Sequence, residues 1–229
     1  MPPETASRRQ GIERRRELIR VAIDVFGEAG FAGARIDEVA QRVGIRRPSV
    51  LYHFADKRAL YLAAIASVVS EITERVVATE KLPTERLIAI ADTWIDFVID
   101  RPNAARLLLR QMIDSNPMPA AEAEVPVRGL LDSIQAAIDD RSSGSGPGKS
   151  LDASEFALIL SSTSLVWVAS RTAVEGVLGL DTLAPDSIQR HRKTLHALVG
   201  QHLSATAEAT ELSPSIAIPT DASETERPS

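Results

Sequence analysis

The sequence predicts an all-α protein with a small N-terminal three-helix head and a larger helical body. Three observations predict it. Apolar residues recur at three- and four-residue steps along most of the chain. Prolines and glycines interrupt that pattern at Gly30, Gly44, Pro83, Pro102 and Pro185, where helices end or begin. No useful length of chain carries the two-residue alternation of a strand. At 229 residues the chain is long enough to bury a sizeable core.

Residues 1–10 are polar, contain two prolines and are expected to form a flexible arm. From Gly11, the residues Ile12, Leu18, Ile19, Ala22, Ile23, Val25 and Phe26 form the apolar stripe of a first helix that Gly30 ends. Phe31 is placed to fill the gap between this helix and the next. Ile36, Val39, Ala40 and Val43 have the spacing of a short helix with one buried face. Gly44 follows, where a left-handed backbone costs glycine almost nothing. Ile45 returns to the core, and Pro48 stands in a first turn that tolerates a missing N–H. In this third helix Val50 and Phe54 share one face, and Ser49, Tyr52 and His53 another.

Asp56 can cap a long fourth helix running to about Lys81, with Leu60, Tyr61, Ile65, Val68, Val69, Ile72 and Val76 as its apolar side. A helix over 84–101 ends at Pro102, and Asn103 is expected to cap the next, which reaches Ile113. A loop over 114–124, a helix over 126–140 and a Gly/Ser/Pro-rich loop over 141–152 follow. Ala153 to Leu178 reads as one nearly continuous apolar helix, and the last helix starts at Pro185 or Asp186. The expected organisation is a head over 1–56, a helical body over 57–204 and a disordered acidic tail over 205–229.

Composition limits the chemistry. The absence of cysteine excludes disulfides and thiolate metal sites. No run approaches the roughly 20 apolar residues that span a bilayer. The basic N-terminus lacks the apolar segment of a signal peptide, so a cytoplasmic protein without a membrane partner is expected. The net charge is −5, unevenly placed: the first 62 residues hold twelve Lys or Arg against eight Asp or Glu, leaving −9 for the remainder. A basic head on an acidic body implies that only the head meets a polyanion.

A helix, a glycine turn and a second helix with a polar-aromatic face form the pattern of a DNA-reading helix-turn-helix. Arg46 and Arg47, at the N-terminal end of the second helix, are placed to enter the major groove. Arg47 is a candidate for a guanine edge or for phosphate, and Arg46 for phosphate. Ser49, Tyr52, His53 and Lys57 are candidates for phosphate and base-edge contacts, with packing beside Phe54 as the alternative for His53. Pro48 contributes shape and an apolar surface for a thymine methyl.

In the body, Trp94, Phe97, Met112, Phe156 and Trp167 are large enough to line a ligand cavity, and plain core packing is the alternative for each. Arg171 can pair with Glu175, face a dimer partner or orient a ligand, and Arg106 and Gln111 are similar polar candidates. The apolar helix from Ala153 needs cover on nearly every side, part of it from a second copy of the chain. Val174, Ile188, Leu195, Leu198 and Val199 are the expected dimer-interface residues. His191, His196 and His202 fall at steps of five and six, which do not share a helix face, so no metal site is expected. No G-x-S-x-G, phosphate-cradling loop or metal dyad is present, so neither an enzyme nor a bound cofactor is expected.

The stretches RIDEVAQRVGI and RRPSVLYHFADKRALY, with EAGF ahead of them, resemble the TetR family of bacterial transcription regulators. The likeness covers the head; the body is similar only in its architecture. The resemblance implies a three-helix DNA-binding head and a ligand-binding, dimerising body. It also implies a homodimeric repressor of a pseudo-palindromic double-stranded DNA operator, released by a small-molecule effector. A helical scaffold without operator recognition and a transcriptional activator are the alternatives. Two departures stand out. Ala34-Arg35 and Arg46 occupy places where members often carry Ser or Thr, and Leu51 replaces the first of two adjacent aromatics. Arg35 and Arg46 are therefore expected to supply charged phosphate contacts in place of hydroxyl caps.

Overall fold

A computed structural model describes residues 3–79, 83–113, 120–142 and 152–211. All regular structure among the described residues is helical. The order is α1 (Pro3–Gly33), α2 (Ile36–Val43), α3 (Arg47–His53), α4 (Lys57–Val77), α5 (Pro83–Asp100), α6 (Pro102–Ile113), α7 (Ala120–Ser142), α8 (Ala153–Ala169), α9 (Arg171–Leu178) and α10 (Pro185–Glu211). No single described helix is long and apolar enough to cross a membrane.

Helix boundaries depart from expectation in several places. The supposed flexible arm over 1–10 is helical from Pro3, because proline is tolerated in a first turn and the polar sequence can continue α1 into solvent. Exposed pairs Glu13–Arg16 and Arg14–Glu17, one turn apart, line the same helix. Gly30 breaks α1 as expected, at φ 70° and ψ 175°. Asn103 lies within α6, which Pro102 opens, and its amide bonds Asp24 instead of capping. Helix α7 is longer than 126–140 at both ends and takes in parts of both expected loops. The stretch from Ala153 to Leu178 is two helices that bend by 67° at Ser170, whose hydroxyl donates to the Val166 carbonyl. Helix α10 runs to Glu211, into the expected tail, and the rest of 205–229 lies outside the described residues.

One hydrophobic core joins head to body. Helix α4 is its beam, about 31 Å long at 1.5 Å per residue. Leu60, Tyr61 and Ala64 reach into the head, and Ile65, Val68, Val69, Ile72 and Val76 continue that buried side toward the body. In the head, α4 packs on α1, and the core takes in Leu18, Ala22, Val25 and Phe26 of α1, Ile36, Val39 and Ala40 of α2, and Val50 of α3. In the body, α5 supplies Leu87, Ile90, Ala91, Ile95, Phe97 and Val98, closed by residues of α6, α7, α8 and α10.

Helix α6 lies directly on the head. Tyr61 Oη donates to Gln111 Oε1 at 3.0 Å, Asn103 Nδ2 to Asp24 Oδ1 at 3.1 Å, and Arg110 to the Glu28 carbonyl at 3.4 Å. Phe26 and Phe31 stack at 6.3 Å and Tyr61 meets both edge-on at 5.0 Å beside this contact, so Phe31 packs against α1 and α4. Helix α1 approaches α6 closely at Gly27. A β-carbon there would stand 2.4 Å from the Asn103 carbonyl oxygen, which backbone cannot yield without moving a helix. Gly27→Ala should therefore lower stability by about 1–3 kcal/mol through overpacking, read as a lower midpoint in chemical or thermal unfolding.

Candidate nucleic-acid interface

The turn between α2 and α3 builds the site. Gly44 sits at φ 75° and ψ 30°, and its N–H bonds the Gln41 carbonyl at 3.1 Å. The Ile45 N–H bonds the Ala40 carbonyl at 2.9 Å, completing a Schellman motif. This arrangement stops α2 and redirects the chain into α3 within three residues, Gly44 to Arg46. Helix α3 is then fixed from below: Val50 and Phe54 are buried, and the Arg15 guanidinium lies 4.9 Å from the Phe54 ring centre. Its other side faces solvent.

That open side carries most of the residues expected to meet DNA. Arg46 is the extended residue before α3, and Arg47, Pro48 and Ser49 form the first turn; all four are exposed. Tyr52 is 87% exposed and meets the His53 ring edge-on at 5.3 Å, while His53 itself is half-buried. Arg35 holds the corresponding place before α2 and is also exposed. Neither Arg35 nor Arg46 caps its helix with a side-chain bond; their carbonyls instead accept the Glu38 and Ser49 N–H groups at 3.1 and 2.9 Å. Arg47 is tethered: its Nη1 lies 3.2 Å from Asp37 Oδ2 in the first turn of α2. Lys57 turns back, with its ammonium 4.8 Å from the Phe31 ring centre and 3.2 Å from the Ala32 carbonyl. Asp56 caps α4 as expected, accepting from the Ala59 N–H at 2.7 Å.

Carboxylates hold the corner behind this surface. Arg42 of α2 bonds Glu28 of α1 at 2.7 Å and Glu38 at 2.6 Å. These bonds raise the Arg42 guanidinium further above its ordinary range, and the Arg42 bonds hold the Glu28 carboxyl below the usual glutamate range. The stabilisation from Glu28 is complete above the ordinary glutamate range. It fades as pH falls through the lowered value in the folded protein.

The residues expected to line a cavity are not equivalent. Trp94, Phe97 and Phe156 are buried in the core, with Trp94 and Phe97 stacked at 6.1 Å. Met112 is 49% exposed at the end of α6 and lines no interior. Trp167 donates its indole N–H to the Thr182 carbonyl at 2.9 Å and stacks on His191 at 4.6 Å. Burial holds the His191 imidazole below its ordinary pKa. Arg171 pairs not with Glu175 but with Asp181, through two bonds of 2.8 and 2.9 Å, which draw it to the loop before α10. Two open grooves, each of about 410 Å³, run along the α1–α4 contact and share Ile19, Ser67 and Glu71; neither includes any of these body residues.

The expected interface residues also divide. Leu195 and Val199 are buried in the chain's own core, where α10 packs on α5. Val174 and Ile188 are half-buried, and Leu198 is exposed. The exposed apolar residues of this region are Leu158 and Val166 on α8, Val177 and Leu178 on α9 and Leu198 on α10. Leu158 and Val166 are eight residues apart, a spacing visible in the sequence as one helix face. The partners Asp37 and Asp181 gave no such signal. His196 bonds Asp92, His191 stacks on Trp167, and the His202 side chain lies outside the described residues. Among the described residues no group of His, Asp and Glu is arranged to hold a metal.

Gly44 offers a clean test of the turn. Nothing lies within 4 Å of a β-carbon there, so Gly44→Ala carries the left-handed backbone penalty alone, about 1–2 kcal/mol. Chemical unfolding should show that loss.

Comparison with known proteins agrees with this geometry. Residues 18–64 match the family model for bacterial regulatory proteins, tetR family. The transcriptional activator FasR of Mycolicibacterium smegmatis is 30% identical over 125 residues, 53% of this chain and 57% of FasR. The transcriptional regulator RutR of Escherichia coli K12 is 24% identical over 127 residues, 55% of this chain and 60% of RutR. The chain thus spans less than two thirds of either relative. Among solved structures, a TetR regulator from Chloroflexus aurantiacus superposes with a TM-score of 0.63 at 22% identity, covering 84% of this chain and 97% of that one. FadR of Bacillus subtilis, in complex with stearoyl-CoA, superposes with a TM-score of 0.60 at 15% identity, over 84% and 97%. The head, residues 18–64, thus carries the sequence of the tetR family of bacterial regulatory proteins, and the helix order and fold of the chain agree with those of solved TetR regulators.

Proposed function

We propose that the chain is a homodimeric transcriptional repressor that binds a pseudo-palindromic operator and releases it when a small molecule binds the body. The observation that carries the reading is the open face of α3. Arg46, Arg47, Ser49 and Tyr52 stand in solvent on a helix whose opposite face is anchored by Val50. A helix so presented fits the major groove, with its N-terminal residues against base edges and Arg35 and Arg46 against phosphates. A scaffold protein would have no need of arginines without a partner among the described residues at two adjacent helix starts.

Dimerisation is supported by the apolar side chains of α8, α9 and α10 left in solvent, with Val177 81% and Leu178 71% exposed. A two-fold axis through this surface would set two heads on successive major grooves, about 34–36 Å apart. Effector binding is supported by two buried polar groups without partners among the described residues, Trp94 Nε1 on α5 and Ser164 Oγ on α8. These helices pack together, so the interior offers an apolar wall with polar points of attachment. FadR, of similar fold, holds stearoyl-CoA; an effector with a long apolar part and a polar group suits this interior. The α1–α6 contact at Gly27 gives the route outward, since α6 cannot shift without carrying α1 and the head. Release requires only that the effector favour the head spacing that misfits the operator.

Activation is a second reading, favoured by the likeness to the activator FasR. The two readings share one DNA-binding step and part in a reporter assay. Loss of the protein should raise transcription from the bound promoter if it represses, and lower it if it activates.

Selection from a random DNA pool should enrich a palindrome. Arg47→Ala should cost about 1–3 kcal/mol at one position per half-site and flatten the preference there; an unaltered profile would remove Arg47 from base reading. Replacing Val177 and Leu178 together with Asp should convert a dimer to monomers in sedimentation and weaken operator binding. A wild-type monomer at working concentration would end the two-head mechanism.

A further inference from the structure

Arg47 is the one arginine of the open face that arrives already held. Its Nη1 contacts Asp37 Oδ2 at 3.2 Å, bridging the first turn of α3 to the first turn of α2. Arg35 and Arg46, its neighbours on the same surface, make no ion pair among the described residues. Both partners of the Arg47–Asp37 pair are about half exposed. An ion pair that open contributes little to folding, so its consequence lies in where it holds the arginine. Asp37 is itself well placed, because the positive end of α2 favours a carboxylate in its first turn.

We propose that Asp37 is a positioning residue for base recognition: it holds the Arg47 guanidinium so that its remaining donors meet the O6 and N7 acceptors of a guanine in the major groove. The proposal rests on the reading of α3 as the DNA-binding helix. The guanidinium has five N–H donors in a rigid fork, and one carboxylate oxygen engages only one end of it. The parallel pair needed for guanine stays free. A long side chain restrained before binding loses less freedom on binding, so the correct base gains more than a wrong one. Asp37 also acts against the complex. A carboxylate at the groove edge repels phosphates on every sequence alike. The arrangement exchanges general affinity for discrimination at one base pair, as a repulsive element in a specific interface does.

The test compares the full-length wild type with Asp37→Asn, Asp37→Glu, Arg47→Ala and the Asp37→Asn/Arg47→Ala double variant. Each is selected against a random duplex pool and then titrated on the enriched duplex and its single-base variants at one salt concentration. Asp37→Asn should bind a scrambled duplex more tightly than wild type. It should lose about threefold or more of its preference for guanine at one position per half-site, with the other positions unchanged. Asp37→Glu retains the carboxylate and should retain the preference. In the Arg47→Ala background Asp37→Asn should raise affinity uniformly and alter no base preference. If Asp37→Asn raises affinity uniformly with guanine preference intact, Asp37 is a surface charge and the proposal fails. Sharper guanine preference in Asp37→Asn would mean that Asp37 holds Arg47 away from DNA, which also overturns it. If wild type enriches no sequence at all, the DNA-reading assignment of α3 fails with it, a result distinct from the other two.

Discussion

The backbone of α6 meets the backbone of α1 at Gly27, with no side chain between them, and the rest of the molecule is arranged around that contact. Backbone is the least compliant part of a folded protein. Two helices that meet through it move together or part altogether. Around the contact lie the Tyr61–Gln111, Asn103–Asp24 and Arg110–Glu28 bonds, so three hydrogen bonds reinforce it on one side. On the other side α4 runs from one to the other without a break in its buried face. The head is a distinct structural unit by motif, yet it has no core of its own. Leu18, Phe26 and Tyr61 belong to the same apolar cluster as Phe97 and Leu165.

The outer surface of the head follows the opposite rule. Its side chains are held at their base and free at their ends. Val50 and Phe54 fix the orientation of α3, and Gly44 fixes its angle to α2, so Arg46, Ser49 and Tyr52 can remain solvated without losing their place. Where a hydroxyl would cap each helix, Arg35 and Arg46 stand instead, without a side-chain cap bond, and bring positive charge to the starts of α2 and α3. Anchoring by charge is long-ranged and weakens as salt rises, whereas the apolar footing of α3 does not.

Much of this was legible in the sequence because it is local. Ile36, Val39 and Ala40 repeat within one helix, Gly44 ends that helix, and Asp56 caps the next residues along; each signal lies within a turn of the feature it specifies. What the sequence concealed depends on neighbours distant along the chain. An apolar stripe states that a face is covered without naming the cover, so Leu195 and Val199 look the same as Leu198, yet α5 covers only the first two. Arg171, which opens α9 after the bend at Ser170, has an acidic residue four positions on and another ten positions on, and the left-handed turn at Gly179 that ends α9 brings the farther one into reach. That bend has little warning in an apolar run of Ser, Thr and Ala. The Asp37–Arg47 pair spans the turn itself, and only the angle between α2 and α3 brings its members together.

The two tryptophans of the chain stand in contrasting surroundings. Trp94 is enclosed by apolar side chains with an unbonded indole N–H, and Trp167 bonds a carbonyl and lies flat on the His191 ring. An indole in a dry, unbonded site emits toward the blue, and one stacked on an imidazole is quenched when that ring takes a proton. The molecule therefore carries two intrinsic optical reporters with separable signals. One lies on α5 in the interior, and the other at the joint between α8 and α10, near the exposed apolar side chains of α9.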